Sequence, residues 1–256
     1  MTKNNWNSFT KARKQFRNEV ENISQSLPML RDIQQRFANS RSDGKNAAYT
    51  VETPVVYNAA LDDITIDDEI KLILVADNPG RREQAAENRR YLVGPSGKIA
   101  NKFFRDNQSL GIDYQKNVII LNKTPIHSPR TTELRQLCLL EAESGSRSIT
   151  AALEESQKTM ASLLLKFHEA LDCPVWITGY SEMRKGGIFE SYTESLKALY
   201  ANKKERYEQI FIYRHFSMNQ FTIDLKQQAR QGETAAKSLI RIGTAYRKRI
   251  LNLTFD

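Results

Sequence analysis

The sequence predicts an α/β fold: three layers, α/β/α, around a mainly parallel four-stranded central sheet, preceded by an N-terminal helical extension. Three observations carry this. Apolar runs of strand length recur at residues 71–76, 117–121, 174–178 and 210–213. Segments with apolar residues at helical spacing lie between them. The two kinds alternate along the chain, which implies crossover units and hence parallel strands with helices on both faces. There is no repeat, low-complexity tract or linker-like stretch. One domain over residues 46–256 is therefore expected, with residues 1–45 as the extension.

Each element has its own justification. Residues 8–37 read as helix, because Phe9, Phe16, Val20, Ile23 and Leu27 recur at helical spacing. Pro28 lacks an N–H and splits this stretch into two helices. Lys11, Arg13, Lys14 and Arg17 decorate the first, and a solvated face accounts for them at least as well as a DNA contact. Residues 39–46 are rich in Ser, Asn and Gly and read as a loop. Residues 50–57 read as a short strand, at a sheet edge because of Pro54. The strand at 71–76 runs into Asp77, Asn78, Pro79 and Gly80, where proline fixes φ and glycine permits a tight turn. A Gly-Pro-Ser-Gly turn then opens a helix over 97–107. The helix at 148–171 carries Ala152, Leu153, Met160, Leu163, Leu164 and Phe167 on its apolar side. Helices over 188–200 and 233–250 flank the last strand.

Composition narrows the function. The chain of 256 residues has a formal charge of +8, which favours an acidic partner, nucleic acid before an anionic membrane surface. Two cysteines, Cys138 and Cys173, exclude a disulfide framework and a four-thiolate metal site. Three histidines far apart give no zinc-site spacing. No apolar run reaches membrane-spanning length, and the first residues are too polar for a secretory signal. A soluble, cytoplasmic, monomeric protein without metal or cofactor is expected.

Parallel strands bring their carboxyl ends to one edge, where open α/β sheets bind ligands. The residues at those ends are Asp77 and Asn78, Asn122, Gly179 and Tyr180, and Arg214 and His215. Each has an ordinary explanation alone, Asn122 as a turn cap and His215 as a loop histidine. Their joint placement at successive strand ends points to a shared crevice holding a carboxylate, two amides and an imidazole.

Here the sequence resembles the uracil-DNA glycosylase superfamily. Ala76-Asp77-Asn78-Pro79-Gly80 is similar to the family's first motif in its Asn-Pro-Gly form, with Asp77 where the iron–sulfur branch has a Glu. Residues 91–97, Tyr-Leu-Val-Gly-Pro-Ser-Gly, resemble the Pro-Phe-Val-Gly-x-x-Gly of that branch. Residues 118–122, Val-Ile-Ile-Leu-Asn, look like the strand ending in a base-reading Asn, and His215-Phe216-Ser217 resembles the family's His-Pro-Ser. The resemblance spans residues 71–221. Ala76 replaces the usual opening glycine, Phe216 replaces the proline, and two cysteines cannot hold an iron–sulfur cluster, so the chain would be an outlying member without one.

The resemblance implies a glycosylase that hydrolyses the N-glycosidic bond of uracil or a related deaminated base in DNA, in base excision repair. Such enzymes extrude the base into a pocket. Asn122 would read the O4 and N3–H edge of uracil, and His215 would stabilise charge developing on O2. Water would be placed by Asn78, favoured because it directly precedes Pro79, or by Asp77; alternation along a strand argues against both pointing inward. Tyr91 or Leu92 would cover the base beside Pro79 and Gly80. Gly94, Ser96, Gly97 and Lys98 would approach a phosphate at a helix start. Ser217, Met218 and Asn219 would contact DNA, with Met218 and Phe221 as wedges in the base stack. Arg81, Arg82, Arg89 and Arg90 flank the first motif, but Glu83 and Glu87 among them make a solvated ion-paired surface the stronger reading. The alternatives are a catalytically weak or inactive DNA-binding protein of the same fold, a hydrolase of free nucleosides, and a structural protein built on the N-terminal helices.

Overall fold

The computed structural model describes residues 1–40, 49–142 and 148–255. Four parallel strands, β1 (Leu72–Ala76), β2 (Val118–Asn122), β3 (Val175–Thr178) and β4 (Ile210–Tyr213), form one sheet in the order β2-β1-β3-β4. All five residues of β1 are buried, as expected of a central parallel strand covered on both faces. The boundary expected between residues 45 and 46, and most of the loop expected at 39–46, lie outside the described residues.

Register and alternation assign the two faces. Leu74 pairs with Trp176 and Trp176 with Phe211, so these side chains share one face. That face is covered by α3 (Pro95–Asp106), α8 (Gln220–Gln228) and α9 (Ala235–Ile250). Phe104 of α3 stacks on Trp176 at 5.4 Å between ring centroids, and Phe221 of α8 stacks on the same indole. Gly243 lets α9 lie against β4: a Cβ there would come within 2.7 Å of Phe211 and Tyr213. The opposite row, Ile73, Val75, Val175, Ile177, Ile210 and Ile212, is equally buried. The remaining layer is α1 (Lys3–Ser26), which packs along α5 (Ser148–Leu171), and α6 (Glu190–Tyr200), which packs along α5 in turn. The arrangement is compatible with a three-layer α/β/α fold.

The N-terminal helices belong to this core. The Thr2 hydroxyl caps α1 by accepting the Asn5 N–H. Phe9 and Phe16 are fully buried, and Phe9 meets Phe167 of α5 edge to face. Pro28 separates α1 from α2 (Leu30–Ser40) as the sequence predicts. Of the basic residues of α1, Arg13 is half-buried and donates to the Leu61 carbonyl, whereas Lys11, Lys14 and Arg17 are exposed, Arg17 pairing with Asp62 at 2.6 Å.

The expected strand at 50–57 does not form. Its single bridge joins Val55 to Ile126 antiparallel. Pro54 lies opposite His127 and Pro125 opposite Val56, and neither proline has an N–H to return the hydrogen bond that its carbonyl accepts. Three helices had no counterpart in the sequence reading: α4 (Thr131–Ala142), α7 (Lys204–Glu208) and α8. The first two are short or weakly amphipathic, and the apolar residues of α8 resemble those of a binding loop.

Because Phe16 joins α1 to the core, Phe16→Ala is expected to lower the unfolding free energy by about 3–5 kcal/mol. Urea denaturation measures this, and a change under about 0.5 kcal/mol would mean the extension is not part of the folded unit.

Candidate functional site

The carboxyl edge of the sheet gathers the polar residues. Ala76 pairs with Asn122, so the next residues in each chain, Asp77 and Lys123, stand side by side on the other row. Asp77 is buried and Lys123 is fully buried. Lys123 Nζ donates to Asp77 Oδ1 at 2.5 Å and to the Thr178 carbonyl, also at 2.5 Å. It lies 4.8 Å from the Phe189 ring centroid. The other carboxylate oxygen, Oδ2, accepts the Thr131 hydroxyl at 2.9 Å. Gly179, at φ +88°, leaves room for the pair: a Cβ there would sit 2.2 Å from Asp77 Oδ1.

Burial works against both charges. At Asp77 the Lys123 ammonium, the His215 ring and the hydrogen bonds from Lys123 and Thr131 outweigh it and hold the carboxyl below its usual range. Burial lowers Lys123 below the usual lysine range, opposed by Asp77 and Glu182. Asp77 is thus fixed as an anion, but both of its oxygens are engaged.

His215 follows β4 and is half-buried. Its Nδ1 accepts the Ser217 N–H at 3.0 Å. A ring nitrogen that accepts carries no proton, so the neutral tautomer has its proton on Nε2. Burial lowers the pKa below the usual histidine value, Asp77 opposes this and Lys123 adds to it. His215 is therefore a neutral Nε2–H donor at neutral pH.

Asn122 closes β2. It is 1 % exposed, and neither Oδ1 nor Nδ2 has a hydrogen-bond partner. A buried polar group left unpaired costs about 1–3 kcal/mol, and native folds rarely keep one without a use. A group presenting one acceptor and one donor would satisfy both atoms of this amide.

Asn78 diverges from Asp77, as strand alternation requires. Its Nδ2 donates to Ser128 O at 3.0 Å, Ser128 Oγ at 3.0 Å and Pro79 O at 3.2 Å. The Pro79 carbonyl is held in turn by the Ser128 N–H and by His127 Nδ1 at 2.8 Å. His127 is fully buried, and burial lowers it to about 4 against its hydrogen bonds to Pro79 and Gly80. Its Nε2 accepts the Tyr49 hydroxyl at 2.9 Å.

Several expected roles are corrected. Tyr91 is 2 % exposed, its hydroxyl donates to Val56 O, and its ring packs near Phe16, so it is an internal strut and not a base cover. Leu92 is buried at φ +53°, with its carbonyl pressed where a Cβ on Gly97 would be. Gly97 therefore serves loop packing, not phosphate approach. Glu83 is not on a solvated surface: it is buried, and Gly80 N–H donates to its Oε2 at 3.0 Å. Burial raises it to about 7, opposed by the amides of Gly80, Leu92 and Gly94. The Gly94 amide is thereby occupied by a carboxylate. Ser96 and Lys98 remain accessible on the first turn of α3, Lys98 exposed. Phe221 stacks on Phe216 at 4.3 Å and is core, not a wedge. Met218 is 84 % exposed, and both it and Asn219 have left-handed backbone, at φ +52° and +58°. Ser217 is exposed beside them.

Lys123, Thr131, His127 and Ser128 were missed by the sequence reading. Lys123 directly follows Asn122, and only the sheet register reveals that it lies beside Asp77. Among the described residues no group of His, Cys, Asp or Glu could hold a metal ion. No helix among them is long and apolar enough to cross a membrane. A groove of about 630 Å³, lined by Tyr49, Glu52, Arg81, Arg82 and Glu87, runs along the 80–94 loop and does not include Asn122. The chain matches no family model, no curated protein and no solved structure.

Removing Lys123 leaves Asp77 buried and unpaired. Lys123→Met is expected to cost about 3–5 kcal/mol at neutral pH. In the wild type the depressed Asp77 pKa contributes stability above the unfolded value, lost as pH falls through the folded one. In the variant the carboxyl is raised and the sign reverses. The stability gap between the two proteins, from denaturation at several pH values, should narrow below about pH 4. A gap independent of pH would show that Asp77 is not charged in the fold.

Proposed function

We propose that the protein is an outlying uracil-DNA glycosylase, which hydrolyses the N-glycosidic bond of uracil or a related deaminated base in DNA. The observation that carries this reading is the buried, doubly unpartnered amide of Asn122, at the same sheet edge as an Nε2–H histidine. Uracil offers O4 as an acceptor and N3–H as a donor, which suits Asn122 Nδ2 and Oδ1. Cytosine reverses both, so an Asn122 amide held in the uracil orientation would leave four buried groups unpaired, a mismatch that discriminates strongly. The sheet order, the carboxyl-edge location and the motif resemblance are consistent with this reading.

In the reaction the extruded base is held by Asn122. As the glycosidic bond breaks, negative charge grows on uracil O2, and His215 donates its Nε2–H to it; a preorganised donor of this kind contributes a few kcal/mol. The sugar becomes cationic as the base leaves as an anion. Asn78 Oδ1 orients the water that adds to the sugar carbon, and the proton this water loses neutralises the released uracil anion. Met218, exposed on strained backbone next to His215, suits a side chain that fills the space vacated by the base. Ser96 and Lys98 at the start of α3 suit a phosphate contact.

A second reading is favoured by one observation. Both oxygens of Asp77 are engaged and Asn78 does not titrate, so the site has no free carboxylate base. That fits a weak catalyst or a DNA-binding protein of the same fold. Incubation with uracil-containing single- and double-stranded oligonucleotides, followed by alkali, separates the two. Scission at uracil is expected, reduced at least about a hundredfold in Asn122→Ala and in His215→Ala. A gel shift without scission favours the binder, and neither shift nor scission removes both readings.

A further inference from the structure

The orientation of Asn78 is set by two neighbours, Ser128 and Pro79. Its Nδ2 meets acceptors only: Ser128 O at 3.0 Å, Ser128 Oγ at 3.0 Å and Pro79 O at 3.2 Å. Ser128 Oγ spends its own proton on the Arg130 carbonyl at 2.7 Å, which leaves the hydroxyl an acceptor toward Asn78. Rotating the amide by half a turn would set Oδ1 against two carbonyl oxygens and a hydroxyl with no proton to give. The amide therefore has one allowed orientation, with Oδ1 on the side away from Ser128.

Ser128 is itself fixed by its own neighbours, among them Gln34 of α2 through His127. It is 2 % exposed, and its N–H donates to Pro79 O at 3.2 Å. The preceding residue, His127, is clamped by Gln34 of α2, whose Nε2 donates to the His127 carbonyl at 2.8 Å. The Tyr49 hydroxyl holds its ring, and its N–H donates to Pro54 O. The N-terminal helices thus reach the first motif through the loop that follows β2.

We propose that Ser128 is a positioning residue for the reaction, holding Asn78 Nδ2 so that Oδ1 is the atom presented to the attacking water. The inference rests on the glycosylase reading and deepens it. It also gives this chain a requirement for an amide: a carboxylate at residue 78 would face the Ser128 and Pro79 carbonyls, and could keep the orientation only when protonated.

The test is a pair of variants, Asn78→Asp and Ser128→Ala. For Asn78→Asp, the activity relative to wild type on a uracil-containing oligonucleotide should rise at least about tenfold as pH falls from about 8 to about 5, because the protonated acid donates to Ser128 O as the amide did. A relative activity that instead rises with pH would mean the carboxylate is accommodated, and would overturn the proposal. Ser128→Ala should lower kcat by about three- to tenfold with KM unchanged, and should have no effect in an Asn78→Ala background. A loss that persists in that background marks a structural role only and also overturns the proposal.

A measurement without activity separates the two levels of the argument. A carboxyl raised by the Ser128 and Pro79 carbonyls binds its proton more tightly in the folded state, so stability falls as pH rises through the raised value. The Tm of Asn78→Asp should match wild type at about pH 4 and fall several degrees below it at about pH 8. If that pattern holds while wild type cleaves no substrate, the glycosylase reading fails, and the catalytic role of Ser128 with it, although the orientation of Asn78 stands. A flat Tm difference removes the orientation argument itself.

Discussion

The ion pair between Asp77 and Lys123 is the constraint on which the sheet edge depends. Taking both charges out of water costs several kcal/mol per ion, and their attraction repays it only if the remaining donors and acceptors are satisfied. Here they are: the ammonium also reaches the Thr178 carbonyl and the Phe189 ring, and the second carboxylate oxygen takes the Thr131 hydroxyl. The contact ties the ends of β1, β2 and β3 to the start of α4. Gly179 is part of the same device, since any side chain there would strike the carboxylate. The pair also sets the field at His215, raising its pKa through one partner and lowering it through the other.

Around that pair the edge divides its labour. Asn122 keeps two hydrogen-bonding atoms unspent inside the protein. His215 is held by the Ser217 N–H in the tautomer that can donate from Nε2. Asn78 is turned by the loop after β2 so that its amino group is used and its oxygen is not. These three groups are neutral, and the charged pair behind them is internally balanced. Such a site suits a reaction that creates charge from a neutral glycoside, because preorganised donors and acceptors need no reorganisation as the charge appears.

Much of the fold was legible from periodicity. The four strands are within a residue of their expected bounds, because each is a short apolar run closed by a polar residue, and α5 starts and stops where its apolar stripe does. The positions of Asn122 and His215 at the ends of β2 and β4 were readable for the same reason. What local pattern could not supply was contact across the chain. Asp77 beside Lys123 follows from the parallel register of β1 and β2, which no single segment encodes. Glu83 looked solvated among arginines, yet the amides of the loop it organises surround it. Tyr91 and Phe221 carry the surface chemistry of binding residues, and tertiary packing claims both. The expected strand at 50–57 failed on Pro125, which lies far away in sequence.

The central claim is that Asn122 is orphaned in the free protein because a uracil-type base completes it. Its side-chain amide resonance in isotope-labelled protein reports this directly. The titrant is a single-stranded oligonucleotide carrying one uridine whose sugar is fluorinated to slow cleavage, with the same oligonucleotide carrying cytidine as control. The account predicts a large shift of the Asn122 amide protons with the uridine strand alone. Perturbation confined to surface residues, equal for the two strands, would contradict it.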